Sequence, residues 1–193
     1  MQPRLAFGSV DMAAKISKRL VIDASIARSS GGKEATYPTS VHCRDFLQAI
    51  LDICNRVVMT PDIREEWNKH QSNFARTWLR TMVAKKKVEY RADIAADEEL
   101  WNTIESITAS EKNCEAMLKD FRLIEAALAT DKTVISLDDT VRKLFDNAAV
   151  QVGELRNVVW VNPDKTEEEK PIDWLKDGAQ AEKKRLLGNL PGE

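Results

Sequence analysis

Four acidic residues stand beside strongly apolar sequence in this 193-residue chain: Asp23, Glu66, Asp120 and Asp138. Asp23 ends the run Leu20-Val21-Ile22, and Asp138 follows Val134-Ile135-Ser136-Leu137. Asp120 has Ala116, Leu123 and Ala127 as its neighbours at helical spacing. Glu66 lies one turn into the segment that Thr60-Pro61 opens. Taken singly, a strand-end Asp is commonly a turn or cap residue, and a helical Glu is commonly solvated. Taken together they pose a problem, because an unpaired carboxylate beside a core is costly. The sequence offers no equally placed quartet of Arg or Lys. One shared divalent cation would satisfy all four, and a hard, all-oxygen donor set suits Mg²⁺ or Mn²⁺.

The elements that must position these groups follow from the apolar pattern. Leu20–Ile22, Val57–Met59, Val134–Leu137 and Val158–Val161 read as buried parallel strands, with near-continuous apolar runs. A helix is expected over 41–54, where Phe46, Leu47, Ile50, Leu51 and Cys54 recur at helical spacing, capped by Thr39 or Ser40. Thr60 then N-caps a helix with Pro61 at its first position, running to Val83. Lys85-Lys86-Lys87 breaks the pattern. Further helices are expected over 98–107, over 111–129 behind Ser110, and over 140–148. The alternation predicts a three-layer α/β/α fold with a mainly parallel central sheet, whose functional groups gather at the strands' C-terminal ends. Residues 1–18 read as an N-terminal extension, 19–161 as the domain, and 162–193 as a linker and terminal helix.

Composition narrows the function classes. Hydrophobic residues make up 43% and the net charge is -2, so a core is expected and no global basic field draws in nucleic acid. Any contact with RNA needs a local patch. Lys69, Arg76 and Arg80 would form one, spaced along one face of the long helix, with Lys85-Lys86-Lys87 following. Cys43, Cys54 and Cys114 form no paired framework and no CxxC, so free, mostly buried thiols in a reducing compartment are expected. No apolar stretch approaches a membrane span. A soluble, cytoplasmic protein is the expectation. His42 and His70 lie at no strand end, which argues against a metal-free nuclease built on paired histidines. Ser30-Gly31-Gly32-Lys33 lacks the first Gly and the final Ser/Thr of a phosphate loop.

The segments Val21-Ile22-Asp23-Ala24-Ser25, Thr60 through Glu66, Lys119-Asp120 through Leu128, and Ser136-Leu137-Asp138 resemble, in order, the successive motifs of PIN domains. The resemblance covers about residues 19–161. It implies a metal-dependent ribonuclease in which Asp23, Glu66, Asp120 and Asp138 form the acidic quartet around Mg²⁺ or Mn²⁺. Ser136 would orient a carboxylate or a water, Asp139 would be an alternative or supporting acid, and Glu65 a weaker alternative to Glu66. The resemblance also raises a toxin held by an antitoxin-like protein partner, a homodimer, and a catalytically weak RNA-binding or protein-interaction module. Trp174, Leu175, Leu186 and Leu187 would dock either on a partner or back on the same chain.

Overall fold

The computed structural model describes residues 17–189. Most of the expected N-terminal extension, residues 1–16, lies outside them. Five strands form one sheet: β1 (Arg19–Ile22), β2 (Arg56–Met59), β3 (Val88–Tyr90), β4 (Thr133–Ile135) and β5 (Val159–Val161). They run in the order β3-β2-β1-β4-β5, and every pair is parallel. Leu20, Val21, Ile22, Val57, Val58, Val134, Ile135, Trp160 and Val161 are wholly buried. A parallel sheet covered on both faces explains why these strands read as unbroken apolar runs.

Nine α-helices connect and cover the sheet among the described residues: α1 (Ala24–Ser29), α2 (Pro38–Asp52), α3 (Pro61–His70), α4 (Asn73–Ala84), α5 (Glu98–Ile107), α6 (Glu111–Leu128), α7 (Asp139–Ala149), α8 (Thr166–Glu169) and α9 (Pro171–Lys176). In one group α6 packs on β1, β4 and α7; in the other α1, α2, α3, α4 and α9 pack among themselves. The result is the expected three-layer α/β/α architecture. The strand order reverses direction between β1 and β4: the chain first builds outward through β2 and β3, then returns to add β4 and β5 on the other side. Such a switch point leaves a crevice at the carboxyl ends of the two strands. Asp23 follows β1 there, and Asp138 lies just beyond β4.

Four expectations need correction. The helix expected from Thr60 to Val83 is two helices. Thr60 caps α3 by accepting from Ile63 N at 3.2 Å. The chain then turns at Gln71, and Ser72 caps α4 by accepting from Ala75 N at 3.1 Å. A Ser with a free cap acceptor competes with continued helix, which periodicity alone does not register. Second, α2 begins at Pro38, earlier than expected, with Tyr37 at its N-cap and no side-chain cap bond. Third, β3 escapes the apolar pattern because it is an edge strand with only partial burial. Fourth, of the three thiols only Cys43 is buried; Cys54 is exposed and Cys114 intermediate.

The lysine break after α4 has a clear geometry. Lys86 is left-handed at φ 56°, Lys86 N donates to Val83 O and Lys87 N to Met82 O, both at 2.9 Å. This paired closure satisfies the last carbonyls of a helix. Lys87 Nζ then donates to Leu51 O at 2.7 Å and to Ile53 O, covering the end of α2. The segment after β5 packs back on its own chain: Trp174, Leu175 and Leu187 are buried, and Leu186 bridges antiparallel to Val159. No described helix is long and apolar enough to cross a membrane.

Candidate functional site

Asp23 emerges from β1 as the N-cap residue of α1, yet its carboxylate makes no cap bond. It is held sideways instead. The Ser25 hydroxyl donates to Asp23 Oδ2, and the Ser136 hydroxyl donates to the same oxygen at 3.0 Å. Ser136 Oγ in turn accepts from Asp138 N at 3.1 Å, and Ser25 Oγ accepts from Leu137 N at 3.3 Å. Two serines thus tie the ends of β1 and β4 together across the switch point. Ser136 is wholly buried, and its expected orienting role toward a carboxylate matches this geometry. Ser25 is a positioning residue that pattern reading missed; an Asp-x-Ser at the end of a parallel strand was the available signal.

Asp138 caps α7, accepting from Val141 N at 2.8 Å through Oδ1. Asp120 reaches the same region from α6, whose inner face buries Met117, Phe121, Leu123, Ile124 and Ala127. Burial pushes the Asp120 carboxyl up to about 7, and the nearby charges of Asp23 and Asp138 push in the same direction, against a smaller opposing effect from Lys119. Asp120 therefore feels the charges of both other aspartates, and like-charge repulsion plus desolvation is what raises such a group.

Asp23 and Asp120 line a cleft of about 510 Å³ together with Asp62, Glu65, Glu66, Leu118, Lys119 and Arg122. Glu66 belongs to this cleft wall but does not join the aspartates. It is exposed, and its oxygens face Lys69 at 3.0 Å and His70 at 3.4 Å. Glu65 bridges to the same Lys69 at 2.8 Å, which holds its carboxyl below the usual range. Asp62 faces Arg122 at 3.7 Å. It is a further acidic wall residue, placed there by the helical turn it shares with Glu65 and Glu66. Asp139 is drawn the other way, toward Lys165 at 2.8 Å, with its Oδ1 buried and lacking a hydrogen-bond partner.

Lys69 is thus committed to the acidic wall, while Arg76 and Arg80 line a separate groove on the far side of α3. The break at Gln71 and Ser72 divides the expected basic strip. Trp67 and Trp78 are core residues, stacked 6.0 Å apart, with their indole N–H groups donating to Ile22 O and Leu47 O. His42 pairs with Asp164 at 2.7 Å.

Among the described residues, no three His, Cys, Asp or Glu side chains stand close enough to hold a metal ion as they are. The donor chemistry nevertheless fits one. Asp23, Asp120 and Asp138 offer hard oxygens, Asp120 is repelled by the other two, and Lys119 is the one cation among the influences on it. A divalent cation would reverse the local balance of charge. Comparison of the chain with protein-family models, with curated proteins and with solved structures gives no match in any of the three.

Proposed function

We propose that this protein is a metal-dependent ribonuclease of the PIN type, hydrolysing RNA phosphodiesters at the Asp23–Asp120–Asp138 cluster. One observation carries the reading. Asp23 and Asp138 follow β1 and β4 at the switch point of a parallel sheet, and Asp120 lies near enough that their charges, with burial, push its carboxyl up to about 7. A structural Asp at a strand end has no need of two more acids beside it; a cation site does.

Mg²⁺ or Mn²⁺, when bound, supplies Lewis acidity toward a phosphoryl oxygen and the activation of a water. Asp23, Asp120 and Asp138 would hold it. Ser25 and Ser136 fix the rotamer of Asp23, so the first ligand is aimed before a cation arrives. Asp138 keeps one oxygen on the α7 cap and has the other to offer. Asp120, its carboxyl pushed up to about 7 by burial and by the charges of Asp23 and Asp138, would give up its proton to serve as a ligand. Glu66 and Asp62 form an outer acidic wall, and Lys119 at the rim offers charge to a phosphate.

A second reading has its own support. Leu118, 52% exposed, lines the cleft, and an apolar rim favours a protein partner that covers the site, as an antitoxin covers a toxin. A catalytically weak, RNA-binding module is the remaining alternative, supported by the tie of Glu66 to Lys69 and His70. Incubation of the purified chain with an end-labelled mixed RNA pool separates them. Cleavage with Mn²⁺ or Mg²⁺ that stops with EDTA is expected of the nuclease; binding without cleavage in either metal is the outcome of a weak module.

A further inference from the structure

The second cleft, about 450 Å³, is lined by Arg64, Asn68 and Gln71 from the end of β2's following helix and by Arg76, Leu79, Arg80 and Val83 from α4. Its chemistry is the opposite of the first. None of its three guanidinium groups lies within ion-pair or hydrogen-bond reach of a partner among the described residues. Several arginines elsewhere are tied, Arg19 to Asp131, Arg91 to Asp93, Arg142 and Arg185 to Glu169. Gln71, in the same groove, donates its side-chain amide to Asn68 Oδ1 at 3.3 Å. Val83, 55% exposed, adds an apolar wall.

Helix α3 is the wall between the two clefts. At roughly 100° per residue, Asp62, Glu65 and Glu66 fall on one side of it, and Arg64, Asn68 and Gln71 on the other. The acidic cleft and the arginine groove are therefore separated by about one helix diameter, ~10 Å. The kink at Gln71 and Ser72 creates the groove, by folding α4 back so that Arg76 and Arg80 face Arg64 across it.

We infer that this groove is the binding track for the RNA strand flanking the scissile phosphate. This rests on the nuclease reading above and adds a location and residues to it. Free guanidiniums recognise phosphate oxygens in bidentate fashion. A strand whose reacting phosphate lies in the acidic cleft crosses α3 and enters the groove about three nucleotides on, at the ~3.4 Å per nucleotide of a stacked strand. Separation is needed as well as proximity, because arginines inside the acidic cleft would neutralise the carboxylates that a cation requires. An acidic peptide would satisfy the guanidiniums too, but the helix wall shared with the proposed nuclease cleft favours RNA.

The test uses the full chain carrying Asp120→Asn, so that the probe stays intact. A fluorescein-labelled single-stranded RNA 20-mer is titrated by anisotropy across a salt series, against the same chain with Arg64→Ser, Arg76→Ser and Arg80→Ser added. Single-strand binding loses about 0.7 in the slope of log K against log salt for each phosphate contact removed. The triple variant is expected to bind about tenfold weaker or worse, with the slope reduced by about 2. The triple Arg→Lys variant keeps most of the slope, and Lys112→Ser with Lys143→Ser, exposed and outside both clefts, binds as the parent does. Equal affinity and slope in parent and triple Ser variant overturn the inference. So does a labelled polyglutamate 20-mer that binds the parent more tightly than RNA does. Cleavage by the wild-type chain is scored separately. A chain that cuts RNA while the arginine variants bind normally has lost this inference alone; a chain that cuts nothing but loses its RNA with the arginines has lost the nuclease reading alone.

Discussion

At the scale of single residues, Asp120 is the group whose environment and role conflict most. Its carboxyl is raised from 3.8 to about 7. The folded chain therefore holds a proton that the unfolded chain has already released, and stability falls as pH rises from 3.8 through about 7. Asp120→Asn removes the charge while keeping the shape. It is expected to raise unfolding stability by on the order of 1–3 kcal/mol at pH 8 and by almost nothing near pH 4, measured by urea titration. Equal effects at both pH values would contradict the assignment of burial and repulsion as the cause. Mn²⁺ or Mg²⁺ should raise the melting temperature of the wild type at pH 8, by the equivalent of about 2.7 kcal/mol at a hundredfold excess over Kd, and leave Asp120→Asn unmoved. Glu66→Gln, by contrast, touches an exposed pair and is expected to cost less than about 1 kcal/mol.

At the scale of elements, the pair α3–α4 decides how charge is distributed. One cap bond at Ser72 turns a single helix into two, and with it moves Arg76 and Arg80 away from Lys69. Ser72 also contacts the Ser30 hydroxyl at 3.2 Å, and its N–H donates to Ala27 O at 3.0 Å. Ser72→Ala is expected to cost about 1 kcal/mol in equilibrium unfolding, and Ser72→Asp, which restores the cap acceptor, to recover most of it. The sequence carried the strands β1, β2, β4 and β5 well, because full burial writes a continuous apolar run. The same runs placed Asp23 and Asp138 beyond the ends of β1 and β4, and the apolar spacing around it placed Asp120 within α6. The pairing of Glu66 with Lys69 was not legible, since periodicity cannot tell a cleft ligand from an i, i+3 ion pair on the same helix. The arginine groove was half legible. Its members from α4 were visible, but Arg64, Asn68 and Gln71 join it only through a kink that no periodicity announces.

At the scale of the whole molecule, the chain after β5 closes the far edge of the sheet. Arg185 is buried, donating to Glu169 at 3.1 Å and to Glu182 at 2.9 Å, and lies 5.1 Å from the Trp174 ring centre. Glu169 also accepts from Arg142 at 2.7 Å and from Asn162 N at 3.1 Å, so α7, β5 and the terminal segment share one carboxylate. Removing one partner of a buried pair leaves a stranded charge. Arg185→Ala is expected to cost about 3–5 kcal/mol, with unfolding of Trp174 and Trp160 fluorescence in one transition; a loss under about 1 kcal/mol would mean the segment is not part of the cooperative unit. Docking of Trp174, Leu175, Leu186 and Leu187 on the same chain was one of the two expectations from the sequence; the Glu169–Arg185 pair was not legible, because these residues find each other only after β5 is in place.

The central claim is that the three aspartates at the switch point are a phosphodiester-cleaving metal site. The most direct measurement is the rate of cleavage of one labelled RNA by the wild type and by Asp120→Asn, each with Mn²⁺, with Mg²⁺ and with EDTA. Metal-dependent cleavage by the wild type, lost in EDTA and reduced at least a hundredfold, roughly the ~2.7 kcal/mol of a lost transition-state contact, in Asp120→Asn, is the predicted result. A wild type inert in both metals, or an Asp120→Asn chain that cuts as fast as its parent, contradicts it.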